Sequence, residues 1–109
     1  MKLFMRVFAE CDSSAAANAI AADILAALSH LDVIISTEPK PYWKIAAYFD
    51  FTFIALQADQ ASLRKIVALC ADGWVHSGDE HERTSVWNKE SDASFLAPSV
   101  QWASVDLHA

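Results

Sequence analysis

At 109 residues, 54% of them apolar and including four Trp and six Phe, the chain suffices for one real hydrophobic core and is too apolar to be disordered. A net charge of −6 excludes the basic footprint of a nucleic-acid-binding domain, and no apolar run reaches the roughly 20 residues of a membrane helix. The charge is uneven: residues 1–71 carry seven acids against six bases, whereas residues 72–109 carry seven against two, which suits solubility or a basic partner.

Residues 2–9 alternate, with Leu3, Met5, Val7 and Ala9 on one face and Lys2, Phe4, Arg6 and Phe8 on the other, and this predicts a strand. The stretch MKLFMRVFAECDSS has a superficial signal-peptide look. Arg6 interrupts its apolar part and Glu10 and Asp12 follow at once, so it reads as a strand of the mature protein. Cys11-Asp12-Ser13-Ser14 then offers helix N-caps, and an alanine-rich helix is predicted from Ala15 to Leu31, with Ile20, Ile24, Leu28 and Leu31 on one stripe.

Asp32–Thr37 is short and β-branched, a second strand. Glu38-Pro39-Lys40-Pro41 reads as a loop, because two prolines lack backbone donors. The longest period-two run follows, from Tyr42 to Gln57. Trp43, Ile45, Ala47, Phe49, Phe51, Phe53 and Ala55 form its dry face, and Lys44, Tyr48, Asp50 and Thr52 lie on the other. It is expected to be the central strand, with Trp43 in the core, although about 40 Å of strand is twice the usual length and implies a bend, a bulge or a protrusion.

Asp59 caps a second helix whose Leu63, Ile66, Val67 and Cys70 sit at helical spacing, with Gly73 as its left-handed stop. Three further strands are expected at Trp74–Ser77, Arg83–Asn88 and Val100–Leu107, separated by polar turns. The fold class is therefore α+β: one domain over residues 1–109, an antiparallel sheet with two helices on one face. It has a ferredoxin-like β-α-β-β-α start and a C-terminal β-meander.

No stretch carries a recognised catalytic constellation. His76-Ser77-Gly78-Asp79-Glu80-His81-Glu82 gathers metal-ligand residue types, but at no established spacing; it reads equally as a solvated loop or an acidic partner contact. There is no Gly-x-Ser-x-Gly elbow, and two glycines in the whole chain cannot build a phosphate-cradling loop. Cys11 stands at a helix start, which favours a thiolate, but Glu10 and Asp12 oppose that effect. With Cys70 it reads as a reduced thiol of a cytoplasmic protein. Asp50 is a possible general base or, more simply, a salt-bridge partner of Lys44 or Arg6. Trp74, Trp87 and Trp102 are open between core positions and partner anchors, since tryptophan is enriched at binding hot spots.

The pattern Ser85-Val86-Trp87-Asn88, then Phe95-Leu96, then Val100-Gln101-Trp102-Ala103-Ser104-Val105-Asp106-Leu107 resembles the ending of small immunity proteins of bacterial toxin–immunity systems, including those of contact-dependent growth inhibition. The resemblance covers roughly the last 25 residues and the general element order. It implies a cytoplasmic protein that binds one cognate protein toxin, commonly a basic nuclease, and blocks its active site; the residues themselves point to no enzyme, cofactor or metal site. On that reading an acidic C-terminal surface mimics phosphate, with Asp79, Glu80, Glu82, Glu90 and Asp92 as contact acids and Trp87 as an anchor. The alternative is a ferredoxin-like small-molecule-binding or regulatory module using the sheet face around Tyr48, Asp50 and Thr52. A small enzyme with Asp50 or His76 as base is a third possibility. Neither nucleic acid nor membrane is an expected partner.

Overall fold

The alternation of Leu3 to Ala9 builds the strand on which everything else is laid. In the computed structural model, which describes residues 1–79, 81–90 and 93–108, β1 (Lys2–Glu10) has neighbours on both sides. It pairs antiparallel with β3 (Tyr48–Ala55) and with β6 (Val100–His108). β2 (Val33–Pro41) lies outside β3, and β5 (Arg83–Asn88) and β4 (Trp74–Gly78) lie outside β6. Among the described residues, six strands thus form one antiparallel sheet in the order β2-β3-β1-β6-β5-β4.

Two helices, α1 (Ser14–Ala27) and α2 (Gln60–Val67), complete the α+β architecture. Each begins as the sequence directs: Ser13 Oγ accepts the Ala16 N–H at 3.1 Å, and an Asp59 carboxylate oxygen accepts the Ser62 N–H at 2.7 Å. The α1 face of Ala17, Ala21 and Ile24, with Leu28 and Leu31 beyond it, shares one core with Leu63 and Ile66 of α2. Leu3, Met5, Val7, Phe51, Phe53, Val105 and Leu107 form the sheet side of that core. Small alanines let α1 approach the sheet closely, and each large buried side chain contributes about 1.5–3 kcal/mol.

The chain opens β-α-β-β-α as expected, and β4, β5 and β6 form a meander. Because β4 and β5 intervene between α2 and β6, the element order is not the simple six-element ferredoxin-like one.

Three expectations are corrected. The long strand is second from one edge of the sheet rather than central, and it does not begin at Tyr42. β1 ends at Glu10, which pairs with Tyr48, so residues before Tyr48 have no inner neighbour strand to bind. Residues 42–47 instead form the hairpin connection, closed by Tyr42 N–H to Tyr48 O at 2.9 Å and Tyr48 N–H to Ile45 O at 3.0 Å. Glu38–Pro41 is strand rather than loop. β2 is an edge strand, where a proline without a donor costs no ladder bond, and irregular pairing on either side of Thr37 absorbs the mismatch. Finally, α2 ends at Val67, before Gly73. Gly73 has φ +98° but serves the turn into β4, where an added Cβ would meet Asn88 O at 2.6 Å.

Candidate functional site

Among the described residues both helices lie on one face, and the other face of the sheet has no helical cover. It presents Phe4, Arg6 and Phe8 from β1, Tyr48, Asp50, Thr52 and Ile54 from β3, and Trp102, Ser104 and Asp106 from β6, set side by side by the registers of these strands. Phe8 is sandwiched between Tyr42 (ring centroids 4.2 Å) and Trp102 (4.9 Å), both rings stacked on it. Arg6 lies over the Phe8 ring at 4.9 Å and binds both carboxylate oxygens of Asp50, at 3.1 and 2.8 Å. This pairing, foremost the hydrogen bond to Asp50, raises the Arg6 pKa further above its ordinary value. Asp50 is only 6% exposed, so a carboxylate in this position depends on its cation.

At the hairpin end of this face stands Trp43, 82% exposed. The expectation that it lies in the core is overturned, because the connection turns its side chain away from the sheet. Its neighbours are Tyr42, at 6.3 Å between rings, and Lys44, whose ammonium is 5.0 Å from the indole centroid. Exposed Ile45 joins Phe8, Tyr42, Tyr48 and Trp102 around a cleft of about 300 Å³ rimmed by Asn88 and Gln101. An exposed indole beside an aromatic cleft is an anchor-and-socket arrangement suited to a protein surface.

Asp79, Glu82 and Glu90, the described members of the proposed acidic contact set, do not form one patch. Asp79 and Glu82 belong to the β4–β5 turn, where Gly78 pairs with Arg83, and Arg83 in turn lies opposite Leu107 near the end of β6. Glu90 follows the other end of β5, next to Lys89, whose N–H reaches Gln101 O at 3.1 Å. The length of β5 separates them, and of these three it is Glu90 that shares an end of the sheet with Trp43. Glu80 and Asp92 lie outside the described residues. Asp79 is also occupied: one of its oxygens accepts the backbone N–H groups of His81 (2.8 Å) and Glu82 (3.1 Å), which holds its carboxyl below the usual range.

The tryptophans divide by depth. Trp87 is fully buried, its indole N–H donating to Asp72 O at 2.9 Å, so it belongs to the core and not to an anchor. Trp74 is half-buried, donates to Cys70 O at 2.9 Å and meets Phe95 edge-on at 5.0 Å. Trp102 is half-buried in the stack on Phe8. The signal that singles out Trp43 lay outside the alternation: it follows two prolines and precedes the residue at which the inner neighbour ends.

Burial, more than any other effect, pushes the Cys11 thiol up, away from the reactive range. His76 Nδ1 is 2.7 Å from Ser85 Oγ, and its ring stacks on Trp74. Among the described residues no three His, Cys, Asp or Glu side chains are grouped as a metal-ligand set. No family model, curated protein or solved structure matches this chain.

Proposed function

We propose that this chain is an immunity-type inhibitor that binds and neutralises a cognate cytotoxic toxin domain of basic, nuclease-like character in the cytoplasm. The observation that carries the binding part is Trp43, an exposed indole beside the Tyr42–Phe8–Trp102 stack and its cleft. A large exposed aromatic has no folding role to explain it, and burying it against a partner supplies the kind of anchor that dominates binding energy. The acid excess and the immunity-like ending from Ser85 to Leu107 support the choice of a basic toxin. On this reading the contact surface is the Trp43 end, with Glu90 as a nearby acid. The turn acids Asp79 and Glu82 serve their own loop and the long-range field.

The small-molecule alternative keeps one observation: a cleft of about 280 Å³ lined by Arg6, Thr37, Glu38, Lys40, Asp50 and Thr52. The Arg6 grip on Asp50 speaks against that carboxylate acting as a free general base.

The test is co-expression with the polypeptide encoded immediately upstream of this chain. The proposal expects a basic toxin-like domain there, whose growth arrest is relieved by this protein and not by its Trp43→Ala variant. An upstream polypeptide that arrests no growth, or whose arrest this protein fails to relieve, ends the immunity reading.

A further inference from the structure

Between α2 and the β4–β5 hairpin, a gap collects cations in a chain that is otherwise acidic. A cleft of about 200 Å³ there is lined by Leu63, Arg64 and Val67 from α2, His76 from β4, and Arg83 and Ser85 from β5. Leu63 is buried and Val67 half-buried, so the lining combines apolar surface with two guanidinium groups and an imidazole. Among the described residues, none of the lining side chains is acidic, and neither Arg64 nor Arg83 has an ion pair or side-chain hydrogen bond. Arg83 also borders the neighbouring cavity that holds Glu82 and Asp106, yet neither carboxylate is within ion-pair distance of it.

Two arginines sharing a cleft repel one another; the Asp59 carboxylate at the start of α2 acts on Arg64 through space without forming an ion pair with it. His76 is also held in place. Its ring stacks on Trp74 with 6.1 Å between centroids at 9°, and Nδ1 is 2.7 Å from the hydroxyl of Ser85, which is fully buried. In the tautomer whose Nδ1 accepts from the Ser85 hydroxyl, the ring proton is on Nε2 and that nitrogen is a donor.

We infer that the cleft between α2 and the β4–β5 hairpin is a binding site for a tetrahedral oxyanion of the phosphate class, held by Arg64, Arg83 and His76 Nε2–H. Donors arriving from three separate elements suit an anion with acceptors on several sides, whereas a planar carboxylate is satisfied by one arginine fork. The inference stands apart from the toxin-binding reading, since the cleft lies on the helix side of the sheet and the Trp43 surface on the other.

The test is titration of the ¹⁵N-labelled full chain with inorganic phosphate at constant ionic strength, with methyl phosphate and acetate as separate arms. The expected result is saturable shifts centred on residues 63–67, 76 and 83–85, with Arg64→Gln, Arg83→Gln and His76→Gln each weakening phosphate about tenfold or more. Lys65→Gln, which removes a neighbouring cation that does not line the cleft, should change affinity less than twofold. Methyl phosphate binding like phosphate assigns the site to phosphate monoesters, and its exclusion assigns it to the free ion; either outcome upholds an oxyanion site. Shifts that do not saturate, acetate binding as tightly as phosphate, or an equal loss in Lys65→Gln would each overturn the inference. Retained amide dispersion in every variant separates loss of the site from loss of the fold.

Discussion

Arg6 on β1 holds Asp50 on β3 through one hydrogen bond to each carboxylate oxygen, on the side of the sheet that no helix covers. The two partners are unequal: the Arg6 side chain is 46% exposed and that of Asp50 only 6%. Removing the arginine strands a buried anion, while neutralising the aspartate leaves a cation that water can reach. Arg6→Met is therefore expected to cost about 2 kcal/mol, a value reduced for the exposure of Arg6, and Asp50→Asn about 1 kcal/mol or less. Urea denaturation of both variants checks the ordering, and equal costs would contradict the asymmetry.

The Asp59 cap supplies a pH dependence with a fixed sign. Hydrogen bonds from Ser62, chiefly its backbone N–H, hold the Asp59 carboxyl below the usual carboxylate range. A depressed folded pKa means that the stabilisation is fully present above the unfolded value of about 3.9 and is lost as pH falls through the lowered folded value. Asp59→Asn keeps a capping oxygen but cannot titrate, so its stability should fall less steeply than wild type in acid. Parallel slopes in a pH series of denaturation midpoints would remove the cap from the account.

Gly73 is the position where a methyl group is least tolerable in the core-facing turn. At φ +98° an added Cβ would meet Asn88 O at 2.6 Å and Trp87 Nε1 at 2.8 Å, both within the hydrogen-bonded turn that seats the indole. Gly73→Ala should destabilise by about 2 kcal/mol or more and alter the near-ultraviolet circular dichroism of Trp87. An unchanged midpoint and spectrum would contradict this packing.

Depth separates the tryptophans in solution as well. Acrylamide should quench Trp43 efficiently and Trp87 hardly at all, so Trp43→Phe removes the accessible component of the quenching curve. Trp87→Ala, which empties a fully buried site, should cost about 3–5 kcal/mol. Efficient quenching that survives in Trp43→Phe would contradict the exposed indole.

Much of this fold is legible in the residues. The strict alternation of Leu3 to Ala9, the amphipathic spacing of Leu63 to Val67 and the polar breaks around residues 79–82 and 89–94 place the strands and helices to within a few residues. The site is less so, because its parts depend on which strands become neighbours. Period-two alternation runs without a break from Trp43 to Ala55, yet the ladder begins at Tyr48, where β1 supplies its last partner. Pro39 and Pro41 read as a loop until β2 is known to be an edge. Asp79 and Glu90 lie close in sequence, but β5 runs between them and carries them to opposite ends of the sheet.

The most direct measurement is calorimetric titration of the upstream-encoded toxin domain with wild-type protein, Trp43→Ala and the double variant Asp79→Lys/Glu82→Lys. Trp43→Ala should keep wild-type stability to within about 0.5 kcal/mol, and lose at least about 2 kcal/mol of binding free energy as a hot-spot truncation does. The double variant should bind within a few-fold of wild type. Full affinity in Trp43→Ala, with binding lost in the Asp79/Glu82 variant, would contradict the account and return the contact surface to the β4–β5 turn.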